Sequence, residues 1–230
     1  GLKFEEAHHY VVGIEGVIVP KLSIELQSYY KNYPSLVLYN RAKFLPADPD
    51  YVNGKGKAYG GEALLRFDSP FADLYCAYTI GWTNVTSNGL TYSPRYDRRH
   101  TINALGVFHL FEDVDLSLRW EFGSGYPYTQ TVGYYDRLSL GGIGGTGPLH
   151  AENGIPYSLL GDKNAARLPS YYRIDGSVTY KFMVSKLRGS LGISVANMTN
   201  RKNILFYDRK TGQQINSLDF FPSATLKVEY

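Results

Sequence analysis

The chain has 230 residues, with 24 Lys and Arg against 21 Asp and Glu, so it is long enough for one domain of ordinary size. Hydrophobic residues make up 43% and charged residues 20%, which excludes a disordered chain, and the even charge balance excludes a nucleic-acid binder with a clustered basic footprint. A single cysteine, Cys76, excludes a disulfide framework. The 21 Tyr and 24 Gly favour strands and tight turns over helices.

No apolar run approaches the ~18 residues that a transmembrane helix needs. The first residues, 1–6, contain no apolar signal core and no initial Met, which predicts that the chain is a processed product or a piece of a longer protein. A membrane location stays open, because a spanning β-strand needs only about 10 alternating residues.

Alternation with a period of two recurs along the chain and predicts strands. In 173–182 it separates Ile174, Val178 and Phe182 from Arg173, Asp175 and Lys181. By this rule we expect about nine strands. They are centred on 8–19, 22–30, 57–67, 71–82, 100–111, 114–122, 173–182, 187–197 and 221–230.

The connections between these segments alternate in length. Short ones lie at 19–21, 68–70, 112–113 and 183–186, and long polar ones at 32–55, 84–99, 124–171 and 199–220. A β-sandwich has no reason to sort its loops in this way, whereas an outer-membrane barrel has short periplasmic turns and long extracellular loops. The pattern therefore predicts an antiparallel transmembrane β-barrel meander.

The predicted strand count is odd, and a complete bacterial barrel has an even number of strands. If 221–230 ends in the periplasm, the alternation makes 8–19 run inward, so that residue 1 starts outside. We therefore expect the C-terminal portion of a larger barrel, or else one weak strand that the pattern misses, within 130–140 or 204–218.

Five motifs in order resemble those of TonB-dependent outer-membrane receptors. They are the loop-to-strand segment Tyr92–Asn103, the segment Ser124–Thr129, the strand entry Leu168–Asp175, the strand end Val195–Asn203 and the final Leu226–Tyr230. Each motif is unspecific by itself, but their order and spacing match over essentially the whole chain. The resemblance implies a barrel of 22 strands with a plugged lumen, of which residues 1–230 would supply about the last nine.

The chain departs from the family in one respect, and the resemblance implies a set of partners. We find no N-terminal plug domain and no TonB box in residues 1–230. The implied partners are outer-membrane lipid, the missing plug and barrel strands or another chain, a TonB-type energising protein acting on the parent protein, and the barrel-assembly machinery. Nucleic acid is not among them. The final aromatic segment would be an assembly signal made by Leu226, Val228 and Tyr230.

Charged residues share one predicted face of neighbouring strands, and we expect this face to line the lumen. They are Arg119, Glu121, Asp175, Lys181, Arg188, Lys227 and Glu229. This set is either a ligand- or plug-contacting patch or a solvated wall of mutually paired charges.

Aromatic residues collect near both ends of the predicted strands. Trp82, Trp120 and Phe122 lie near the long connections, and Tyr180 and Phe182 lie near the short turns. Two such rows are expected at the two membrane interfaces.

No motif in the sequence argues for catalysis, a cofactor or a metal. The stretch Gly142–Gly147 matches G-x-G-x-x-G, but it lies in the longest loop and is followed by Pro148, so the strand and helix of a dinucleotide site are missing. His8 and His9 are adjacent on a strand and point to opposite faces, which does not suit one metal ion.

The sequence thus predicts a non-enzymatic, all-β, multi-pass protein of the bacterial outer membrane. Its parent would take up a scarce nutrient actively, such as an iron chelate, a cobalamin or an oligosaccharide, with loops 32–55, 84–99 and 124–171 forming the outer vestibule. Two alternatives stay open. One is a small passive or structural outer-membrane barrel within a larger assembly, and the other is a soluble β-sandwich or lipocalin-like binder.

Overall fold

The structure, a computed structural model, describes residues 1–40, 42–135 and 157–230, and the backbone alone at 138–139 and 150–151. Regular structure within these ranges is entirely β. The long strands are β1 (Glu6–Val19), β2 (Leu22–Tyr39), β3 (Tyr51–Asp68), β4 (Ala72–Ser87), β5 (His100–Phe111), β6 (Val114–Gly123), β7 (Tyr171–Val184), β8 (Leu187–Ala196) and β9 (Phe221–Glu229).

These nine strands form one sheet in chain order, every neighbouring pair is antiparallel, and the short strand Leu90–Tyr92 adds to the same sheet by pairing with the end of β4. The predicted meander of nine strands is therefore confirmed. In the described part of the chain, β1 pairs only with β2 and β9 only with β8, so the two edges of the sheet do not meet each other.

The registers sort the side chains onto two faces, because successive residues of a strand point to opposite sides. One row of paired positions crosses seven strands on what we call the apolar face. It consists of Ile14, Leu26, Ala63, Tyr78, Ile102, Phe122 and Tyr172. The opposite side, which we call the polar face, carries the charged residues that the sequence placed together.

The sheet buries few apolar side chains. Among the described residues, only Ala58, Ala72, Val85 and Leu168 are buried hydrophobic residues. A sandwich of two packed sheets would bury one whole face of each sheet. The single-layer arrangement thus excludes the soluble-sandwich alternative and leaves the apolar face without a protein partner among the described residues.

The connections differ at the two ends of the sheet, as the sequence predicted. At the short-turn end, two or three residues join each pair of strands: 20–21, 69–71, 112–113 and 185–186. Lys21 and Ser185 have positive φ values of 74° and 58° in two of these turns. The other end, which we call the long-loop end, carries the connections 40–50, 88–99, 124–170 and 197–220.

The expected bounds of the first long connection were wrong. We predicted a loop over 32–55, but β2 continues to Tyr39 and β3 begins at Tyr51. A register shift between Tyr33 and Leu36 accommodates Pro34 without ending the strand. Beyond the shift, the Tyr39 and Tyr51 rings pack edge to face with centroids 6.2 Å apart, which stabilises the extension.

Short strands do lie in the two regions where a weak tenth strand was expected. Thr131–Tyr135 pairs with Tyr157–Leu160, and Ile204–Tyr207 pairs with Gln214–Asn216. Both pairs are separate from the main sheet, so neither supplies a tenth spanning strand. The Gly142–Gly147 stretch and much of the expected 124–171 vestibule loop lie outside the described residues.

Candidate functional site: the polar face and the long-loop end

The polar face carries alternating charges on β6 and β7, toward the long-loop end. Asp175 pairs in register with Arg119, and Arg173 pairs with Glu121. The Arg173 guanidinium lies 2.7 Å from an Asp175 carboxylate oxygen and 3.8 Å from Glu121. Arg119 also forms an ion pair with Glu121. These four side chains form one mutually neutralised network.

A second network lies on the polar face nearer the short-turn end. The Asp115 carboxylate lies 2.8 Å from Nδ1 of His109 and 2.7 Å from Nζ of Lys181. Nε2 of His109 lies 3.4 Å from Asp73. The sequence singled out only Lys181 from this group, because Asp73 and His109 come together around Asp115 only through the pairing of β4 with β5 and of β5 with β6.

The remaining predicted charges lie on the last two strands. Lys227 and Glu229 form an ion pair on β9, and Arg188 stands opposite Glu229 in the register. The structure therefore places all seven predicted charges on one face. It brings most of them into ion pairs with neighbours, which is the arrangement of a wall of mutually paired charges.

Among the described residues, Asp97 at the long-loop end is the one charged residue that is buried. Its carboxylate is 1% exposed and forms ion pairs with Arg167 and, at 3.4 Å, with Nε of Arg99. It also accepts a hydrogen bond of 2.7 Å from the backbone N–H of Thr83. Arg167 in turn donates to the Asp97 carbonyl at 3.0 Å and to the Gly125 carbonyl at 3.1 Å. We call this group the Asp97 clasp, because it joins β4 to two long connections.

Position 125, in the same region, requires a glycine. A Cβ atom at this position would lie 1.5 Å from the carbonyl oxygen of Leu168, so the two backbone segments can approach only where one residue has no side chain. Next to this contact, the Arg98 guanidinium lies 4.2 Å from the ring centroid of Tyr126, a cation–π distance.

Two buried asparagines replace missing backbone partners beyond β7 and β8. Asn203 donates to the Tyr172 carbonyl at 2.8 Å and accepts from the Tyr172 N–H at 3.0 Å, as a strand neighbour would. Asn197 is fully buried and has a φ of 51°. Its side-chain amide donates to the carbonyls of Arg201 and Leu218, each at 3.0 Å. In the sequence, Asn197 and Asn203 are distinguished only by their place in the motif Val195–Asn203.

A third buried asparagine ties two further connections together. Asn164 donates from its side chain to the Ser93 carbonyl at 2.8 Å, and its backbone N–H donates to Oγ1 of Thr129 at 3.0 Å. The residues joined are 71 and 35 positions apart in the chain. Periodicity carries no signal for such contacts.

A cavity of about 440 Å³ opens among these connections. Its walls combine tyrosines with charged side chains, namely Tyr126, Tyr128, Tyr134, Tyr207, Arg95, Asp208 and Arg209. The Tyr128 and Tyr207 rings contact each other with centroids 5.7 Å apart. Such a wall offers aromatic faces, hydroxyl groups and guanidinium groups to a polar organic ligand.

Two carboxylates in the long connections are held by local hydrogen bonds. The backbone N–H and hydroxyl of Thr211 lower the pKa of the Asp208 carboxyl below its ordinary value, and the Lys210 N–H adds to this effect. Hydrogen bonds from the N–H groups of Leu45 and Phe44 likewise lower the pKa of Asp48. Each carboxylate orders its own turn by accepting these bonds.

The expected aromatic residues lie on the apolar face. Trp120, Phe122, Tyr180 and Phe182 are within four residues of a strand end, whereas Trp82 lies five residues before the end of β4. Trp82 stacks on Tyr59 with centroids 5.5 Å apart, and Trp120 contacts Tyr172 at 6.3 Å. Phe122 stands opposite Ile102 and Tyr172 in the registers. At the short-turn end, Tyr180 and Phe182 lie 6.2 Å apart. That these rows sit at membrane interfaces stays a prediction.

The expected assembly-signal residues lie at the open edge of the sheet. Leu226 and Val228 point to the apolar face of β9 and stand opposite Leu191 and Gly189. Tyr230 follows the strand and is 96% exposed.

The described residues contain no cluster of three or more His, Cys, Asp or Glu that could hold a metal ion, and within the same ranges no helix is long and apolar enough to cross a membrane.

Comparison with known proteins gives a structural match only. Neither the protein families nor the curated sequences contain a match. Among solved structures, the chain resembles the ferric-catecholate import receptor Fiu from Escherichia coli K12, with a TM-score of 0.63 and 12% identity over 99% of this chain and 28% of that one.

Two further solved structures extend this likeness. The ferripyoverdine receptor of the outer membrane of Pseudomonas aeruginosa gives a TM-score of 0.65 with 12% identity, over 96% of this chain and 27% of that one. The outer-membrane transporter YddB from Escherichia coli gives 0.54 with 11% identity, over 99% and 32%. These neighbours are TonB-dependent receptors.

The fold is that of the TonB-dependent receptor barrel. The expected resemblance is therefore confirmed for the fold, and these neighbours are receptors or transporters rather than enzymes. The chain spans about three tenths of the length of the TonB-dependent receptors that it matches.

Proposed function

We propose that this chain forms part of the barrel wall of a TonB-dependent receptor that takes up a scarce nutrient across the bacterial outer membrane. The observation that carries this proposal is the two-faced sheet. Nine antiparallel strands expose an apolar row on one face and a wall of paired charges on the other. A sheet that separates lipid from a polar lumen needs this distribution.

The apolar face faces lipid in this proposal, and the polar face lines the lumen. The remaining strands and the plug, supplied elsewhere in the parent protein or by another chain, cover the two sheet edges, because an unpaired strand edge within hydrocarbon costs several kcal/mol per unsatisfied group. The short-turn end faces the periplasm. Barrel-assembly machinery inserts the parent protein, and a TonB-type protein energises it.

The long-loop end forms part of the outer ligand vestibule. The 440 Å³ cavity lies there, and its tyrosines and guanidinium groups suit a polar organic ligand. Iron chelates, cobalamins and oligosaccharides all have this character. The neighbours that import ferric catecholates or bind ferripyoverdine support the first of these classes.

Uptake assays on cells that carry the full-length gene test the proposal. Growth on the limiting nutrient should depend on the gene, and uptake should stop when a protonophore abolishes the proton-motive force. A small passive barrel would instead give permeability that the protonophore leaves unchanged. Failure of the protein to fractionate with the outer membrane would contradict the location itself.

A further inference from the structure

The apolar face of β3 changes character at one position along the strand. From Phe67 through Leu65 and Ala63 to Tyr59 it carries apolar and aromatic side chains, and the next two residues on the same face are Lys57 and Lys55. Both lysines are exposed, whereas the alternating residues Gly56 and Ala58 are buried on the polar face.

The apolar part of this strand has the length of a membrane span. Eight residue steps separate Phe67 from Tyr59, which is about 27 Å along a strand. A tilt of about 40° reduces this to about 21 Å of depth, close to the ~25 Å apolar band of an outer-membrane barrel. Lys57 and Lys55 thus lie just beyond the apolar band, at the height of lipid headgroups.

An aromatic row marks the same level on the neighbouring strands. Tyr10 contacts Tyr30 with ring centroids 6.3 Å apart, Tyr30 pairs in register with Tyr59, and Tyr59 stacks on Trp82. Aromatic rows of this kind sit at membrane–water interfaces. In the next row outward, Lys57 lies between the uncharged Asn32 and Asn84.

Two arginines add to the positive charge beside the aromatic residues. The Arg99 guanidinium lies 5.6 Å from the Trp82 ring, and that of Arg201 lies 5.8 Å from the Tyr172 ring. The Arg201 guanidinium donates to the carbonyl of Ser170 at 3.2 Å. We call Lys55, Lys57, Arg99 and Arg201 the basic row.

The basic row differs from the polar face in how its charges are neutralised. On the polar face, Lys181 and Arg173 have carboxylate partners within 2.7 Å. Among the ion pairs of the described residues, none includes Lys55, Lys57 or Arg201, and Arg99 shares the Asp97 carboxylate with Arg167. The basic row therefore leaves positive charge for an external anion.

From these observations we infer that the basic row binds the phosphate groups of lipid headgroups in the outer leaflet. Its cations lie on β3 and in the connections 88–99 and 197–220, and two of them stand over aromatic rings, which fits an extended leaflet surface rather than a single small anion in a pocket. Each basic residue beside an anionic membrane surface strengthens binding about fivefold. The inference rests on the outer-membrane location that we propose for this chain.

Lipid binding by the full-length protein tests this inference. The protein is purified in detergent, stripped of lipid and titrated with lipid A that carries its phosphates, with bound lipid counted by native mass spectrometry. The variant Lys55→Gln/Lys57→Gln should bind this lipid about 25-fold more weakly, since each lysine contributes about fivefold. The control Arg188→Gln/Lys227→Gln removes the same charge from the polar face and should bind like wild type.

Three results would overturn the inference. Equal losses in the two double variants would show a general charge effect, and equal affinity for dephosphorylated lipid A would exclude the phosphate groups as the ligand. Displacement of the lipid by millimolar inorganic phosphate would indicate a free-phosphate site. Uptake that a protonophore abolishes, measured in cells that carry the same variants, tests the proposed transport separately. Lipid binding and transport can therefore fail independently of each other.

Discussion

The long strands and the connections beyond them differ in how each residue is held in place. In the sheet, every inner strand has a neighbour on both sides, and the ladder repeats the same hydrogen bonds from β1 to β9. At the long-loop end, a few buried polar side chains replace the ladder. They are Asn40, Asp97, Asn164, Asn197 and Asn203.

This difference changes what a single substitution can do. In the sheet, the identity of a residue matters mainly through the face to which it points, because the backbone bonds do not depend on the side chain. At the long-loop end, the side chain is itself the hydrogen-bonding partner, so its removal leaves buried backbone groups unsatisfied. A substitution that changes the polarity of one face should therefore destabilise the sheet. A substitution that removes a buried polar side chain should destabilise the long-loop end.

The largest effect should come from a change of face in β9. Leu226 points to the apolar face and Lys227 to the polar face. We expect Leu226→Arg to lower the free energy of unfolding by roughly 2–4 kcal/mol near the midplane of the bilayer. Lys227→Leu should cost far less, and urea titrations of both variants of the full-length protein in lipid vesicles measure the difference. The reverse order would show that the two faces are assigned the wrong way round.

The Asp97 clasp should give the next largest effect. Asp97→Ala removes a buried carboxylate that binds two arginines and the N–H of Thr83, and charge-assisted hydrogen bonds contribute about 1.5–3 kcal/mol each. We expect local opening of the connection at 93–99 to become about 30- to 100-fold more frequent, as measured by hydrogen exchange of the full-length protein in detergent.

The exposed ion pair between Asp219 and Lys202 provides a matched control for this variant. Both side chains are 53% exposed, and such pairs contribute about 0–1 kcal/mol. Asp219→Ala should therefore leave exchange near its own site almost unchanged. Equal protection losses in the two variants would mean that burial of Asp97 confers no special stability.

Asn203 should give a smaller effect, restricted to the start of β7. Asn203→Ala removes the two hydrogen bonds with the backbone of Tyr172, at a cost of about 1–2 kcal/mol. The amide of Tyr172 should then exchange roughly tenfold faster, while amides in the middle of β7 keep their protection. Lys202→Ala, one residue away and exposed, is the control. Unchanged exchange at Tyr172 would show that water replaces the asparagine without cost.

The sheet could be predicted from the sequence because its signal is periodic and local. Alternation over 173–182 or 114–122 identifies a strand and both its faces from ten residues, and nine such segments give the meander. The segment 32–39 was missed because Pro34 and several polar residues resemble a loop. In the structure, a register shift at this position lets the strand continue to Tyr39.

The long-loop end could not be predicted in the same way. The contact of Asn164 with Ser93 and that of Arg167 with Asp97 join residues 71 and 70 positions apart, and no repeat links such positions. Asp73 and His109 were missed for a different reason, since each looks like an ordinary polar position of its own strand. Only the pairing of β4 with β5 and of β5 with β6 places them around Asp115.

The smallest expected effect concerns pH at the long-loop end, where Asp208 lines the cavity. Hydrogen bonds from Thr211 and Lys210 lower the pKa of this carboxyl in the folded protein, whereas an unfolded Asp has a pKa of about 3.9. The carboxylate therefore stabilises its turn fully above about pH 4, and this contribution is lost as the pH falls through the lower folded-state pKa. An NMR titration should show the Thr211 amide shifting with a midpoint below the ordinary Asp value. Asp208→Asn should abolish this transition, and a midpoint above about 4 in the unmodified protein would contradict the role of the turn hydrogen bonds.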